Sequence, residues 1–597
     1  MVLETEPIPF TGFFAAALPA WLKGMAVLAL VCLAAGLLRL AVRYGVSRAF
    51  WRLAEATVGY LADLLRMSPR RVLALARLTV QESLRRKVLA GFGVFVLILL
   101  FALWFLDTAS PDPAPLYTGF VMNFTSYLVA VMALLLSVFS IPGDIKSRII
   151  FTIVTKPVRA SELVAGRMLG FVGIGTLLLV LMGLTSYLFV VRSLDHTHEF
   201  EPDATSLAAE SAGLGNKVIG TTSLVHNHRH RVILGVDGTL ATDMSQGHWH
   251  PVTVEEHNGR QRYVIGPPQG QFHARVPLYG KLHFKNRYGG EATRGTNVGN
   301  EWTYRSHVEG GTLAAAIWRF DGLRREAFPQ GLPIDMTIRV FRTEKGEIER
   351  GILGSFVLRN PQTGLTTQPQ DFVAKEYLTD RHLVPNRLLD SSGKSIALFG
   401  DLITDGQLEV QLQCLQRGQF FGMAQPDVYL LEHDGSVGLN FVKGYASIWL
   451  QMVLITALGV MWSTFLNGPV AMLATFASLV AGFFHHFFHS LATGGTPGGA
   501  TFESLVRMVQ HKNTVIRLEP GWSTTVVKLL DVGVRHIMRL ITQMVPDMRT
   551  LSDVDYVVAG FNVPDGQLLV QAVTVAAYVL PIFLLGYLFF RLREVAQ

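Results

Sequence analysis

Cysteine is nearly absent. The 597 residues include two, Cys32 in an apolar run and Cys414 in a polar stretch. That placement excludes a disulfide framework and leaves the redox compartment open. Charge is sparse as well: 16% of residues are Asp, Glu, Lys or Arg, 50% are apolar, and mean hydropathy is +0.34. This balance excludes a large soluble protein and points to a membrane protein. Acidic residues are missing from every long apolar run. Ion-coupled carriers usually hold an ionisable group at mid-membrane, so a proton- or sodium-driven carrier is disfavoured. A P-loop is missing too. The nearest approach to G-x-x-x-x-G-K-[ST] is "LLDSSGKS", where Leu388 stands in place of the first glycine ahead of Gly393, Lys394 and Ser395. The chain is therefore not expected to be an ATP-hydrolysing enzyme, and no catalytic residue is assigned. No internal repeat is evident.

A bilayer core of about 30 Å needs roughly 20 apolar residues in a helix. Seven stretches qualify: 24–42, 88–106, 119–141, 168–191, 446–466, 469–489 and 567–590. The first is not a cleavable leader, because Arg39 and Arg43 lie at its end and no A-x-A-like site follows. Basic residues set the orientation. Residues 43–87 carry ten Lys or Arg against three acids, and 142–167 carry five against two. The connection 107–118 has Asp107 and Asp112 and no base. The expected topology has the N-terminus outside, seven crossings and the C-terminus in the cytoplasm. The net charge of +7 then belongs to the cytoplasmic face of the inner membrane, and a nucleic-acid partner is not needed to explain it.

The chain divides by composition. Residues 1–67 hold the first membrane helix and a cytoplasmic linker. The segment 68–87 sets Val72, Leu75, Leu78 and Val80 among arginines, an apolar stripe with basic edges that suits a helix lying at the membrane surface. It opens a membrane segment, 68–191, that includes the charged loop 142–167. Residues 192–445 are rich in Gly, His and Thr, with alternating runs "MTIRVF", "QLEVQLQ" and "DVYLLE" between turn pairs. That pattern predicts an extracytoplasmic, sandwich-like antiparallel β-domain. Residues 446–489 return to the membrane, 490–566 read as an outer helical region, and 567–597 as the last crossing and a cytoplasmic tail. Tyr445, Trp449 and Trp462 suit interfacial anchors, and Gln451 suits an interhelical hydrogen bond.

Seven of the eighteen histidines crowd into 196–250, as His196 and His198, then His226, His228 and His230, then His248 and His250. In a strand, residues i and i+2 face one way, so each pair could chelate Zn or Cu through imidazole. Glu199, Asp203 or Asp243 could complete or orient the site. The plainer reading is a polar surface, or histidines hydrogen-bonded within the β-domain.

"GDIKSRIIFTIVTKPVRASELVAGRMLG" resembles the cytoplasmic loop of ABC type-2 transporter permeases. Asp144, Arg148, Thr152, Lys156, Pro157, Glu162, Gly166 and Gly170 match that pattern. Arg167 replaces its usual lysine, and Ala160 stands where its arginine belongs, with Arg159 one place earlier. "LTVQESLRRKVL" resembles the entry helix of these permeases and "GYLFFRLREVAQ" their C-terminal end. The resemblance covers roughly 68–191 and 446–597, and is closest to permeases grouped with gliding-motility and copper-enzyme-maturation exporters. It implies an α-helical polytopic membrane protein of six core helices plus one extra N-terminal helix, interrupted by the outer β-domain. It implies an exporter subunit energised by ATP on a separate ATPase subunit, working with a second permease half in contact with membrane lipid. The loop would be the coupling element. Pro142 and Pro157 would stiffen it, and Asp144, Lys146, Arg148, Thr152, Lys156, Pro157, Arg159 and Glu162 would be its working residues. Two other readings stand beside this one. The chain could be a non-transporting scaffold that passes ATP-driven motion to the outer domain, or a metal-handling permease for copper-protein maturation.

Overall fold

The computed structural model describes residues 10–593 apart from 86–87, 103, 107–112, 149–157, 202–216, 235–239, 244, 246, 258–259, 297, 299–304, 330, 344–350, 375–378, 494–499 and 514–517. Thr152, Lys156, Pro157 and Asp203 lie outside the described residues. The chain forms two compact units, one comprising 273–440 with 560–562 and the other comprising 7–272, 441–559 and 563–597.

In the first unit the expected alternation is present and decides what is buried. Along Leu408–Cys414, Leu408, Val410, Leu412 and Cys414 are buried while Glu409, Gln411 and Gln413 are half-buried, the two-residue period of a strand with one face inward. This strand lies inside a six-stranded antiparallel sheet, between Ile352–Arg359 and Ala315–Phe320. A four-stranded sheet carries Leu332–Thr337 and Val428–Asp434 side by side. Trp318, Phe356 and Leu412 from the first sheet share one core with Ile334, Met336 and Leu430 from the second. The run "MTIRVF" does not remain one strand. It leaves the four-stranded sheet after Thr337, passes through buried Ile338, and enters a three-stranded sheet at Arg339. The P-loop look-alike is a hairpin turn. Asp390 Oδ1 accepts from the Ser392 and Lys394 amides at 2.8 Å each, between the paired strands Arg387–Leu389 and Ser395–Ala397.

The second unit holds the apolar helices. Among the described residues, five are long and apolar enough to cross a membrane: Phe10–Tyr44, Pro113–Lys146, Ala160–Leu194, Val437–Ser463 and Asp565–Leu592. Gly468–Phe483 and His485–Thr493 pass that test together but are bent by 62°. The second of the seven expected crossings is a helix of only 14 residues, Leu89–Ala102. Buried polar side chains tie neighbouring elements together. Thr125 Oγ1 lies 3.2 Å from Tyr445 Oη, Trp449 Nε1 donates to Thr176 Oγ1 at 2.8 Å, and Gln451 Nε2 donates to the Met548 carbonyl at 3.0 Å. Tyr445 is thus a buried hydrogen-bonding residue and not an interfacial anchor, because its hydroxyl has a partner on another helix.

Asp553 immediately precedes the short helix Val554–Val558 and is fully buried. Its Oδ1 accepts from Gln567 and Gln571 Nε2, while its Oδ2 and Gln571 Oε1 have no hydrogen-bond partner. Loss of water pushes its carboxyl up to about 6. The folded state therefore binds this proton more tightly than the unfolded chain does. The group penalises stability increasingly as pH rises from about 4 to 6, and by a constant amount above that range. Asp553→Asn removes a cost of roughly 2–3 kcal/mol. We expect the variant to unfold at higher temperature than wild type at pH 8, with the advantage gone near pH 4, as measured by thermal unfolding of the full chain in detergent.

Candidate functional site

The 35-residue helix Ala160–Leu194 is about 52 Å long at 1.5 Å per residue, well beyond a hydrocarbon core of about 30 Å. Each of its ends carries a cluster of chemistry-bearing side chains.

At the N-terminal end, the residues matched to the permease loop form a buried ionic block. Arg167 donates to Asp144 through Nη2, and to Glu82 Oε2 through Nη1 at 2.7 Å. Arg167 and Asp144 are 3–4% exposed. Glu162 has no exposed side-chain surface. It accepts from the Ser68 amide at 2.8 Å, from Arg71 Nη2 at 2.7 Å and from the Arg159 amide at 3.0 Å. A carboxylate in the first helical turn also meets the orphan amides and the positive end of the helix dipole. Arg159 pairs with Asp63 at 3.0 Å, and Asp63 accepts from Tyr587 Oη at 2.9 Å.

Two matched glycines explain how the helix Pro69–Arg85 comes so near. A Cβ on Gly166 would stand 2.5 Å from Leu75 Cβ, and one on Gly170 would stand 2.5 Å from Thr79 Cβ and 2.8 Å from the Ala76 carbonyl. Small residues four apart let helix backbones approach where apolar surroundings offer no hydrophobic drive. The buried stripe of Pro69–Arg85 is accordingly Val72, Ala76, Thr79 and Ser83, while Leu78 is exposed. Asp144, Arg159 and Glu162 are thus construction residues of this block. Lys146 and Arg148 are exposed at its edge, and Arg148 holds a left-handed φ of 58°.

At the C-terminal end, six of the seven predicted histidines converge. His198, His228, His230, His248 and His250 are buried and His196 is half-buried. Their ligand atoms fall into two overlapping groups of four in which all atoms lie within 4.8 Å. The Nε2–Nε2 separations are 3.3 Å for His198 and His228, 3.2 Å for His228 and His248, and 3.1 Å for His248 and His196. His226 stays exposed outside the cluster. His226 and Asn227 take left-handed φ angles of 46° and 62°, so the two-residue alternation starts only after them.

Backbone carbonyls orient the rings. Nδ1 of His196 faces the Leu194 carbonyl at 2.9 Å, and Nδ1 of His198, His230 and His250 face those of Ser223, Asp243 and Gly266 at 2.8 Å each. His228 Nδ1 faces the His226 carbonyl at 3.4 Å. A carbonyl only accepts, so each of these Nδ1 atoms carries the proton and each Nε2 presents a lone pair. Nε2 of His230 and of His250 have no hydrogen-bond partner. Burial pushes His198, His228 and His250 down to about 4, and lowers His196 and His230 in the same direction. Burial thus favours the neutral form of these five imidazoles, the form that ligates metal. Asp243 orients His230 through its carbonyl, and its carboxylate accepts from the Arg231 amide at 2.7 Å. Glu199 contributes main-chain groups, its amide donating to Ser223 Oγ at 2.9 Å.

The histidines sit on a repeated unit that inspection of the sequence misses. Thr222 and Thr242 are each followed by histidines six and eight places on, and the His230 and His250 amides donate to Thr222 and Thr242 Oγ1 at 3.0 and 2.7 Å. The amides of Ser223, Asp243 and Gly266 donate to the carbonyls of Glu199, Arg231 and Pro251 at 2.8, 2.9 and 2.8 Å. Each His-x-His pair thus opens a strand pair that closes with the same hydrogen bond. The T-x5-H-x-H signal at a spacing of twenty was readable, but the strand pairs differ in length and hide the third copy. Compared with protein-family models, curated proteins and solved structures, the chain matches none.

The ionic block gives a direct test. Arg167→Met withdraws the guanidinium from two carboxylates and should cost about 3–5 kcal/mol. Arg167→Lys, which keeps a cation between the two carboxylates, should lose less than half of that. Unfolding temperatures of the two variants in detergent decide the point.

Proposed function

We propose that this chain is the membrane subunit of an ATP-driven ABC-type exporter of the inner membrane, energised by a separate ATPase subunit and paired with a second permease half. The observation that carries the reading is the ionic block in which Arg167 and Glu162 join the start of Ala160–Leu194 to Glu82 and Arg71 of the helix Pro69–Arg85, with Asp144 held on Arg167 and Arg159 paired to Asp63. A force applied to the loop is passed to a lever only if the two are rigidly joined, and buried, hydrogen-bonded ion pairs provide such a joint. The exposed pair Lys146 and Arg148 then offers the charge that finds an acidic docking cleft. In this reading the N-terminus and residues 192–445 lie outside the cytoplasm and the C-terminus lies inside. No residue of this chain hydrolyses ATP.

Glu162, expected among the coupling residues, is fully buried, and in this reading it belongs to the joint. The coupling variant is therefore Lys146→Glu with Arg148→Glu. It should at least halve ATPase association or stimulation while the detergent-solubilised chain elutes and unfolds as wild type does. Unchanged association would reject the coupling role.

Topology is tested separately in a chain carrying Cys32→Ser and Cys414→Ala. Single cysteines at exposed turns, Ser147→Cys and Ser391→Cys, should react oppositely with an impermeant thiol reagent on intact cells. Only Ser391→Cys should be labelled, and labelling of Ser147→Cys would invert the orientation.

A further inference from the structure

The six converging rings have a definite arrangement. Twelve ring pairs among His196, His198, His228, His230, His248 and His250 have centroids 4.8–5.2 Å apart and interplanar angles of 70–90°. In that set every ring has four neighbours. The fifth ring stands opposite: His196 faces His230, His198 faces His248, and His228 faces His250. Six points with twelve short edges and three diagonals form an octahedron. Each His-x-His pair occupies one edge, and the three pairs come from the three repeated units.

Electrostatics requires something at the centre. With Nδ1 protonated toward a carbonyl, two facing Nε2 atoms have no proton to share. For His198 and His228, 3.3 Å apart, this sets lone pair against lone pair, and His248 Nε2 stands 3.2 and 3.1 Å from those of His228 and His196. An octahedron with those edges puts its centre about 2.2–2.3 Å from each nitrogen, close to the ~2.0–2.1 Å of zinc–imidazole bonds in four-coordinate sites. The donor set also narrows the ion. Copper(I) favours soft thiolate and thioether ligands, copper(II) favours square or tetragonal sites, and structural zinc is almost always tetrahedral. Six neutral imidazoles in an octahedron suit a divalent ion that accepts six nitrogens. They also leave no open position, which marks a resident ion and not one that binds substrate or is passed on as cargo.

We infer that these six histidines form a closed, six-coordinate site for one divalent first-row ion of the iron(II), cobalt(II) and nickel(II) kind, and that the ion locks three β-strand pairs onto the C-terminal end of Ala160–Leu194. The link to the helix is short. Leu194, its last residue, presents a carbonyl that faces His196 Nδ1 at 2.9 Å and accepts from Gln271 Nε2 at 3.0 Å. The apolar filling beneath the site is small, Val232, Val252 and Ile265 with Phe200, Ile219, Leu240 and Tyr263 packed against them. Metal binding therefore supplies a large share of this region's folding free energy. The inference concerns the histidine region alone and does not depend on the exporter reading.

The test uses the full chain in mild detergent, purified without a polyhistidine tag, stripped with chelator and offered iron(II), cobalt(II), nickel(II), zinc(II) or copper(II) singly. Elemental analysis should return one ion per chain for at least one of the first three. X-ray absorption should report a single shell of six nitrogen neighbours. His226→Ala should retain the full complement, and His198→Ala with His248→Ala, an opposed pair, should retain less than a tenth. Stripping the metal should speed proteolysis within 196–266 at least tenfold. A wild-type chain that takes up none of these ions, or that holds one through four nitrogens, overturns the site. Unchanged proteolysis overturns the locking role. ATPase association is scored in parallel on the same preparations. Its loss with the metal shell intact counts against the exporter reading alone, and loss of the shell with association intact counts against the metal site alone.

Discussion

Six imidazole rings gathered around one point are the constraint from which the histidine region follows. Backbone carbonyls fix the tautomers of five of them by taking the Nδ1 protons, so those five cannot satisfy one another. Each carbonyl acceptor, at Ser223, Asp243 and Gly266, belongs to a residue whose amide closes its own strand pair. Ring orientation and hairpin closure are therefore one set of hydrogen bonds. Side-chain carboxylates take little part, which keeps the inner shell neutral and leaves charge compensation to peptide dipoles.

The opposite end of the same helix follows a different logic. There the buried groups are ions, and each finds an opposite charge and further hydrogen bonds: Arg167 with Asp144 and Glu82, Glu162 with Arg71 and two amides. Such an arrangement contributes little net stability over an apolar packing of the same volume, but it is severe on any change that leaves one partner behind. Gly166 and Gly170 make it possible by letting two backbones approach to a distance that no Cβ would permit. The helix between the two ends is continuous over 35 residues, so a displacement at the ionic end has no internal break to absorb it.

These two ends separate readings that a motif alone leaves together. Residues matched to a coupling loop divide into buried ones that build the joint, Asp144 and Glu162, and exposed ones that can meet a partner, Lys146 and Arg148. Of the seven clustered histidines, six are gathered with ligand atoms close enough to share an ion, and His226 is left outside. In both places burial discriminates where residue type cannot.

Much of this was legible in the residues. Apolar runs without acids announced the long helices, since lipid-length stretches of that composition have few other uses. Alternation in "QLEVQLQ" announced a strand with one face inward, and the crowding of His-x-His pairs announced histidines gathered in one place. Other features depended on contacts distant in the chain. Whether "MTIRVF" stays in one sheet was decided by the neighbours that claimed each half, and Tyr445 became a helix-to-helix hydrogen-bond partner because Thr125 stands opposite it. The third copy of the histidine unit was hidden because its strand pair has its own length, and a spacing rule sees only equal lengths. The sequence by itself determined which side chains can ligate, cross a bilayer or carry charge, because those properties are local to a residue and its neighbours. Only the tertiary structure decided that six imidazoles share one centre, since an octahedron needs three segments, spread over more than fifty residues, to meet at angstrom precision.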